Sequence, residues 1–187
     1  MMTCPSIALA AFVAGCALSP QSIQLEPGVA VEAADIGRDR SVALSVQDRR
    51  EDPNIGTRGG VYPRTSTITA PDVSAAVEKA MSKALGDMGF KVARSDVPAD
   101  LRMQVSVDDL SYIARGEPVV NQVEVGAKVS SVVEGASGRY SSNAGITETR
   151  DVLRPPAPED NEGYINEALG RALEKLLRDP KFVEFLR

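Results

Sequence analysis

The 187-residue chain contains no histidine and no tryptophan. Without an imidazole it lacks the usual general base near neutral pH and the commonest transition-metal ligand, so Ser-His-Asp, Cys-His and His-metal chemistry are excluded. Aromatic residues make up only 4% of the chain. The core must therefore be aliphatic, and a base-stacking or sugar-stacking surface is not expected. Net basic charge is missing too: a formal charge of -5 offers no long-range attraction to nucleic acid, so no nucleic-acid partner is expected.

Thiols are confined to Cys4 and Cys16. Both lie at the extreme N-terminus, so they form no disulfide framework for a folded body, and a thiol-free body is compatible with an oxidising compartment. Between them runs Ile7-Ala8-Leu9-Ala10-Ala11-Phe12-Val13, an uncharged apolar stretch. Even extended to Leu18 it is shorter than the ~20 residues a membrane-spanning helix needs, and its length is that of a signal-peptide h-region. The preceding Met1 to Ser6 carries no Lys or Arg, unlike an ordinary n-region.

The apolar stretch leads into Val13-Ala14-Gly15-Cys16, which resembles the bacterial lipobox. That resemblance implies removal of residues 1–15 as a leader and transfer of diacylglycerol to the Cys16 sulfur, usually with an N-acyl chain. Each buried methylene contributes ~0.8 kcal/mol, so two or more chains make an anchor that does not readily leave a bilayer. Ala17 stands where an inner-membrane retention signal would place Asp, which by analogy favours the outer membrane.

Further along, residues 16–40 mix Pro20, Pro27, Gly28 and polar residues with short apolar pieces, and read as a tether with at most an edge strand. Residues 41–187 are expected to form one domain, since 43% hydrophobic residues suffice for a single sizeable core. Val42, Leu44 and Val46 alternate with polar residues in a first strand, and Asp48 to Thr69, rich in Gly and Pro, reads as a long loop with room for a short hairpin turn. Pro71 opens a helix whose stripe is Val73, Val77, Ala80, Met81, Ala84, Leu85 and Met88, with Gly89 as its stop.

A short strand at Phe90 to Ala93 follows, and then three alternating segments: Leu101 to Val107, Val119 to Val133, and Arg139 to Val152. Turns at Gly116 and between Gly135 and Gly138 join these three as an antiparallel meander. After Pro155-Pro156-Ala157-Pro158, Asp160 or Asn161 can cap a helix with Ile165, Ala168, Leu169, Ala172, Leu173, Leu176 and Leu177 on one face. A break at Asp179-Pro180 precedes a last apolar turn. The expected fold is α+β, a mostly antiparallel sheet of four to five strands with two helices packed on one face, after a signal peptide and flexible tether.

The lipobox at Cys16, the strand ending Val46-Gln47-Asp48-Arg49 before a charged loop, and the closing Asp179-Pro180-Lys181-Phe182-Val183-Glu184-Phe185-Leu186 together resemble the YajG-like family of bacterial envelope lipoproteins. This resemblance implies an outer-membrane lipoprotein without a defined activity. It carries over no catalytic residue.

Candidate contacts remain. Asp48 and Arg49, with Arg50, can meet a ligand or merely close the strand with an ion pair. Arg58, in a Gly-rich loop that lacks the P-loop pattern, and Arg64 can touch an anionic partner such as peptidoglycan or lipopolysaccharide. Asp108-Asp109, Glu159-Asp160 and Glu162 offer carboxylates, but none has EF-hand spacing, and Asp160 and Glu162 suit the first turn of a helix. No metal and no cofactor is expected.

The sequence thus favours a non-enzymatic binding or assembly module, joined to the membrane through Cys16 and contacting an envelope protein, peptidoglycan or lipid. The rival is a cell-wall hydrolase or lyase using an Asp/Glu pair. A deep pocket with two close carboxylates would favour the rival, and a flat sheet face or exposed groove would favour binding.

Overall fold

A computed structural model describes residues 19–32, 35–58, 66–116 and 121–187. Cys16, residues 1–15 before it and Arg64 lie outside these residues. The described elements run β1 (Gln21–Ser22), β2 (Ser41–Asp48), β3 (Asn54–Thr57), β4 (Thr67–Thr69), α1 (Val73–Asp87), β5 (Lys91–Arg94), β6 (Leu101–Gly116), β7 (Asn121–Gly135), β8 (Gly138–Val152), α2 (Pro158–Leu177) and α3 (Pro180–Leu186).

The antiparallel meander is present as β6, β7 and β8. The rest of the sheet departs from expectation. It is a mixed sheet of eight strands, and four of its seven pairings are parallel. The free edge of β6 is shared by two strands laid end to end: β2 pairs with its first half, from Val42↔Leu101 to Asp48↔Val107, and β3 with its second half at Gly56↔Tyr112 and Thr57↔Ile113. Outside β2 lies β5, and outside β3 lie β4 and then β1.

Parallel partners are joined by crossovers, through α1 for every pair except β1 and β4, and leave no local turn signal to read. The β3–β4 hairpin fills the expected long loop with strands of four and three residues, too short to show a period. Helices number three among the described residues, not two. The last apolar turn is the seven-residue α3, whose N-cap Asp179 accepts from the Lys181 amide at 3.0 Å and from the Ser142 hydroxyl at 3.0 Å. Phe182 and Leu186 are fully buried there.

α1 packs on β2 and β5, α2 on β7 and β8, and α3 on β8, so one face of the sheet is covered. The covered face collects Val42 and Leu44 from β2 and Val123, Val125, Ala127, Val129 and Val133 from β7 in one core. Ile165, Leu169, Leu173 and Leu176 supply the α2 side of it.

A bulge in β6 lets that strand serve the core along its whole length. Val107 pairs with Val129 and Asp109 with Lys128, so Asp108 is an extra residue with no opposite number. Before it the odd residues Leu101, Met103, Val105 and Val107 point inward, and after it the even residues Leu110 and Tyr112 do. An uninterrupted strand of period 2 would turn that second set outward.

Deleting Asp108 alone removes the unpaired residue and is expected to leave Leu110 and Tyr112 inward, opposite Ala127 and Val125. Deleting Asp108 and Asp109 together leaves an uninterrupted strand of the wrong parity, and is expected to expose Leu110 and Tyr112 and to cost more than about 3 kcal/mol, the burial of two large side chains. Urea denaturation should show a strongly lowered midpoint or no cooperative transition. A midpoint equal to wild type would contradict the register.

Candidate functional site

Residues 21–31 carry the composition of a tether but pack as a strap. The odd residues Ile23 and Leu25 are buried, and Val29 and Val31 are partly so, giving the period 2 of an extended chain. Ile23 donates its amide to Thr69 at 2.8 Å, prolonging the pairing with β4. The even residues turn to α2. The Gln24 amide donates to Glu162 at 3.0 Å, the Glu26 amide to Asn166 at 2.7 Å, and the Ala30 amide to Glu174 at 2.7 Å. Asn166 and Arg178 donate back to the carbonyls of Gln24 and Ala30, each at 3.0 Å.

At the missing rung, Gly28 meets Gly170: a Cβ on Gly170 would stand 2.2 Å from the Gly28 carbonyl oxygen. Residues 162, 166, 170, 174 and 178 of and just after α2 thus meet residues 24, 26, 28 and 30. Four helical residues rise about 6.0 Å and two extended ones about 6.6 Å, so the two repeats stay in step over this length.

The strap begins beside a buried polar chain. Tyr112 donates its hydroxyl to Asn161 Oδ1, Asn161 Nδ2 donates to Gln21 Oε1 at 3.1 Å, and Gln21 Nε2 donates to the Pro158 carbonyl at 2.7 Å. Asn161 is fully buried and Tyr112 nearly so. Burial pushes the Tyr112 phenol well above its ordinary pKa, which keeps it protonated as the donor. Asn161 was a candidate cap, but α2 starts earlier, at Pro158. It is Asp160 that reaches back to the Ala157 amide, at 3.0 Å.

Next to Gln21, the Arg58 guanidinium donates to the Ser19 carbonyl. Ser19, Arg58, the strand ends Gly116, Asn121 and Val152, and the start of α2 therefore share one pole of the domain. The predicted contact residues are not gathered there. Asp48 and Arg49 lie at the level of Val107, whereas Arg58 follows Thr57, the partner of Ile113. Six strand residues separate the two levels, roughly 20 Å.

At its own level Asp48 grips Arg50, with Nε at 2.8 Å and Nη2 at 2.7 Å, and Arg50 passes a further hydrogen bond to Ala70 ahead of α1. The Arg50 hydrogen bonds hold the Asp48 carboxyl below its ordinary pKa. Arg49 is exposed, 3.6 Å from the bulge residue Asp108.

A family model described as an uncharacterized lipoprotein, of the YajG-like family, matches residues 27–187. The chain belongs to the YajG-like lipoprotein family. Among solved structures, a Xanthomonas campestris protein of family DUF330 is 12% identical, with a TM-score of 0.55 over 85% of this chain and 92% of that one. A minor lipoprotein from Acinetobacter baumannii is 10% identical, with a TM-score of 0.41 over 79% of this chain and 90% of that one. The first likeness shows the fold. Comparison with curated proteins finds no match.

In this YajG-like domain the carboxylates that drew notice in the sequence are taken up in the structure, except Glu159, which is exposed. Asp109 stands 3.7 Å from Lys128, Glu162 and Asp160 bind backbone amides, and Asp108 faces Arg49. Glu148 and Glu167 are bridged by Arg150 at 2.8 and 2.6 Å and by Arg171 at 2.6 and 2.9 Å. Each of the two carboxylates is held by both guanidiniums, so the four side chains form one closed ring of ion pairs. Periodicity did not reveal this ring, because Glu148 and Arg150 occupy inward positions of β8 that alternation reserves for apolar residues.

Two glycines of α2 separate strap contact from helix propensity. At Gly163 an added methyl meets nothing within 4 Å, so Gly163→Ala should stabilise by about 0.5–1 kcal/mol. At Gly170 the same change meets the strap backbone, so Gly170→Ala should destabilise by about 1–3 kcal/mol. Thermal or urea unfolding of the pair reads the sign directly, and stabilisation at both positions would contradict the strap.

Proposed function

We propose that this chain is an outer-membrane lipoprotein, acylated on Cys16 after removal of residues 1–15, facing the periplasm and acting as a non-enzymatic binding or assembly module. The observation that carries this reading is the place of the lipobox cysteine. Cys16 lies three residues before Ser19, where the strap begins, so the acylated residue precedes the packed domain and no core position is asked to accommodate lipid. Among the described residues no helix is long and apolar enough to cross a membrane.

The binding part of the reading draws on the uncovered sheet face. The outward residues of β8, among them Ser141, Asn143, Thr147, Thr149 and Asp151, are exposed and polar, and no described helix packs over them. Such a face suits a hydrated protein or peptidoglycan partner better than an apolar ligand. The close carboxylates, meanwhile, are neutralised by arginine or spent on backbone amides.

Replacing Cys16 by Ala in the full-length chain tests the anchor. Wild type is expected to incorporate radioactive palmitate and to stay with membranes in high salt, because burial of acyl chains is not screened by ions. Cys16→Ala should take up no label and should accumulate uncleaved. Equal labelling and processing of the two chains would refute the reading.

A further inference from the structure

We infer that the pole bearing Leu153 and Ser19 docks on the bilayer that holds the lipid anchor, with Leu153 inserted among the lipids and Arg154 at their phosphates. The inference rests on the reading of Cys16 as the acylated residue. From Cys16 to Ser19 the chain can span at most about 10 Å, three residues at ~3.3–3.6 Å each. Ser19 is itself fastened to Arg58, and Gln21 to Pro158 and Asn161. The strap beyond is held along α2, so the domain cannot pay out more chain without breaking that ladder. Whatever surface surrounds Ser19 is held at the headgroups.

That surface is suited to the place. Leu153 is 92% exposed, and Ile113 on the same pole is 40% exposed, while the other exposed large apolar residue among the described residues, Val97, sits near the opposite end of β6. A single exposed leucine is ordinary on its own; what sets Leu153 apart is its place at the pole where the chain leads to Cys16. Beside it Val152, Arg154, Pro156, Asp160 and Tyr164 line an open cleft. Arg154 is exposed and makes no ion pair among the described residues. Two acids of this pole are turned elsewhere: Asp160 to the Ala157 amide, and Asp151 to the Gln122 side chain at 3.2 Å. Arg115 is paired with Glu124, and Glu159 stays exposed. One leucine and one free arginine on an acidic protein would not hold a bilayer from solution. Tethering makes the docking intramolecular and gives weak contacts a high effective concentration.

The test uses the acylated full chain with Leu153→Cys or, as control, Val97→Cys. Both sites are exposed, so the fold tolerates either change. Cys4 leaves with the leader and the Cys16 sulfur is blocked as a thioether, which makes the new thiol the one that reacts. Each variant is labelled with an environment-sensitive fluorophore and reconstituted in vesicles of phosphatidylethanolamine and phosphatidylglycerol. Emission at position 153 is expected to shift to the blue and to be quenched several-fold more by shallow doxyl lipids than emission at position 97. Equal, water-like emission at both positions in chains that float with the vesicles would overturn the docking and leave the anchor standing. Shielding of position 153 without doxyl quenching would assign the pole to a protein contact and overturn it as well. Chains that fail to float and take no palmitate would remove the anchor and the docking together.

Discussion

A helix that advances about 6 Å in four residues and an extended chain that advances nearly the same in two can be laced together, and this lacing closes the helical layer of the domain. Backbone donors with no strand beside them must still be satisfied once they are taken from water. Here Glu162, Asn166 and Glu174 do this at regular intervals, and Gly170 leaves room for the chain to lie flat at Gly28. The alternate side chains, Ile23 and Leu25, are then free to enter the core beside α1.

The lacing depends in turn on the bulge at Asp108. By changing the parity of β6 it brings Tyr112 to the covered face, where its hydroxyl finds Asn161 and, through it, Gln21. A buried Asn without such partners would cost about 1–3 kcal/mol, so the chain of three polar residues selects one seating of the strap over its neighbours. The seating determines where the polypeptide leaves the domain. A lipid attached before Ser19 is thereby attached at one pole, and the orientation proposed for the molecule on a membrane follows from hydrogen bonds far from any membrane.

Much of this was legible residue by residue. The stripes of α1 and α2, the meander and the family resemblance carried by Asp48-Arg49 and by the Asp179 to Leu186 segment all show in the sequence, because each is a local pattern. The parallel pairings of β2 with β5 and β6 do not, since crossovers leave no turn signature. The alternation Ile23, Leu25, Val29, Val31 was present all along, but Pro27-Gly28 in its middle gave the stretch the look of a linker. The lack of secondary structure was correctly signalled, and packing is a separate matter. The bulge, too, had a trace: the odd-numbered apolar series stops at Asp108-Asp109 and an even-numbered one resumes at Leu110. Of the candidate contacts, Asp48 proves tied to Arg50, and the exposed Leu153 went unremarked because single surface leucines are ordinary until their position relative to an anchor is known.

The claim on which the rest depends is that the strap belongs to the fold. Amide hydrogen exchange at Gln24, Glu26 and Ala30, in the folded protein without acyl chains, tests it most directly. Protection approaching that of the central α2 amides is predicted. Exchange at the rate of an unstructured chain, with α2 still protected, would contradict the account.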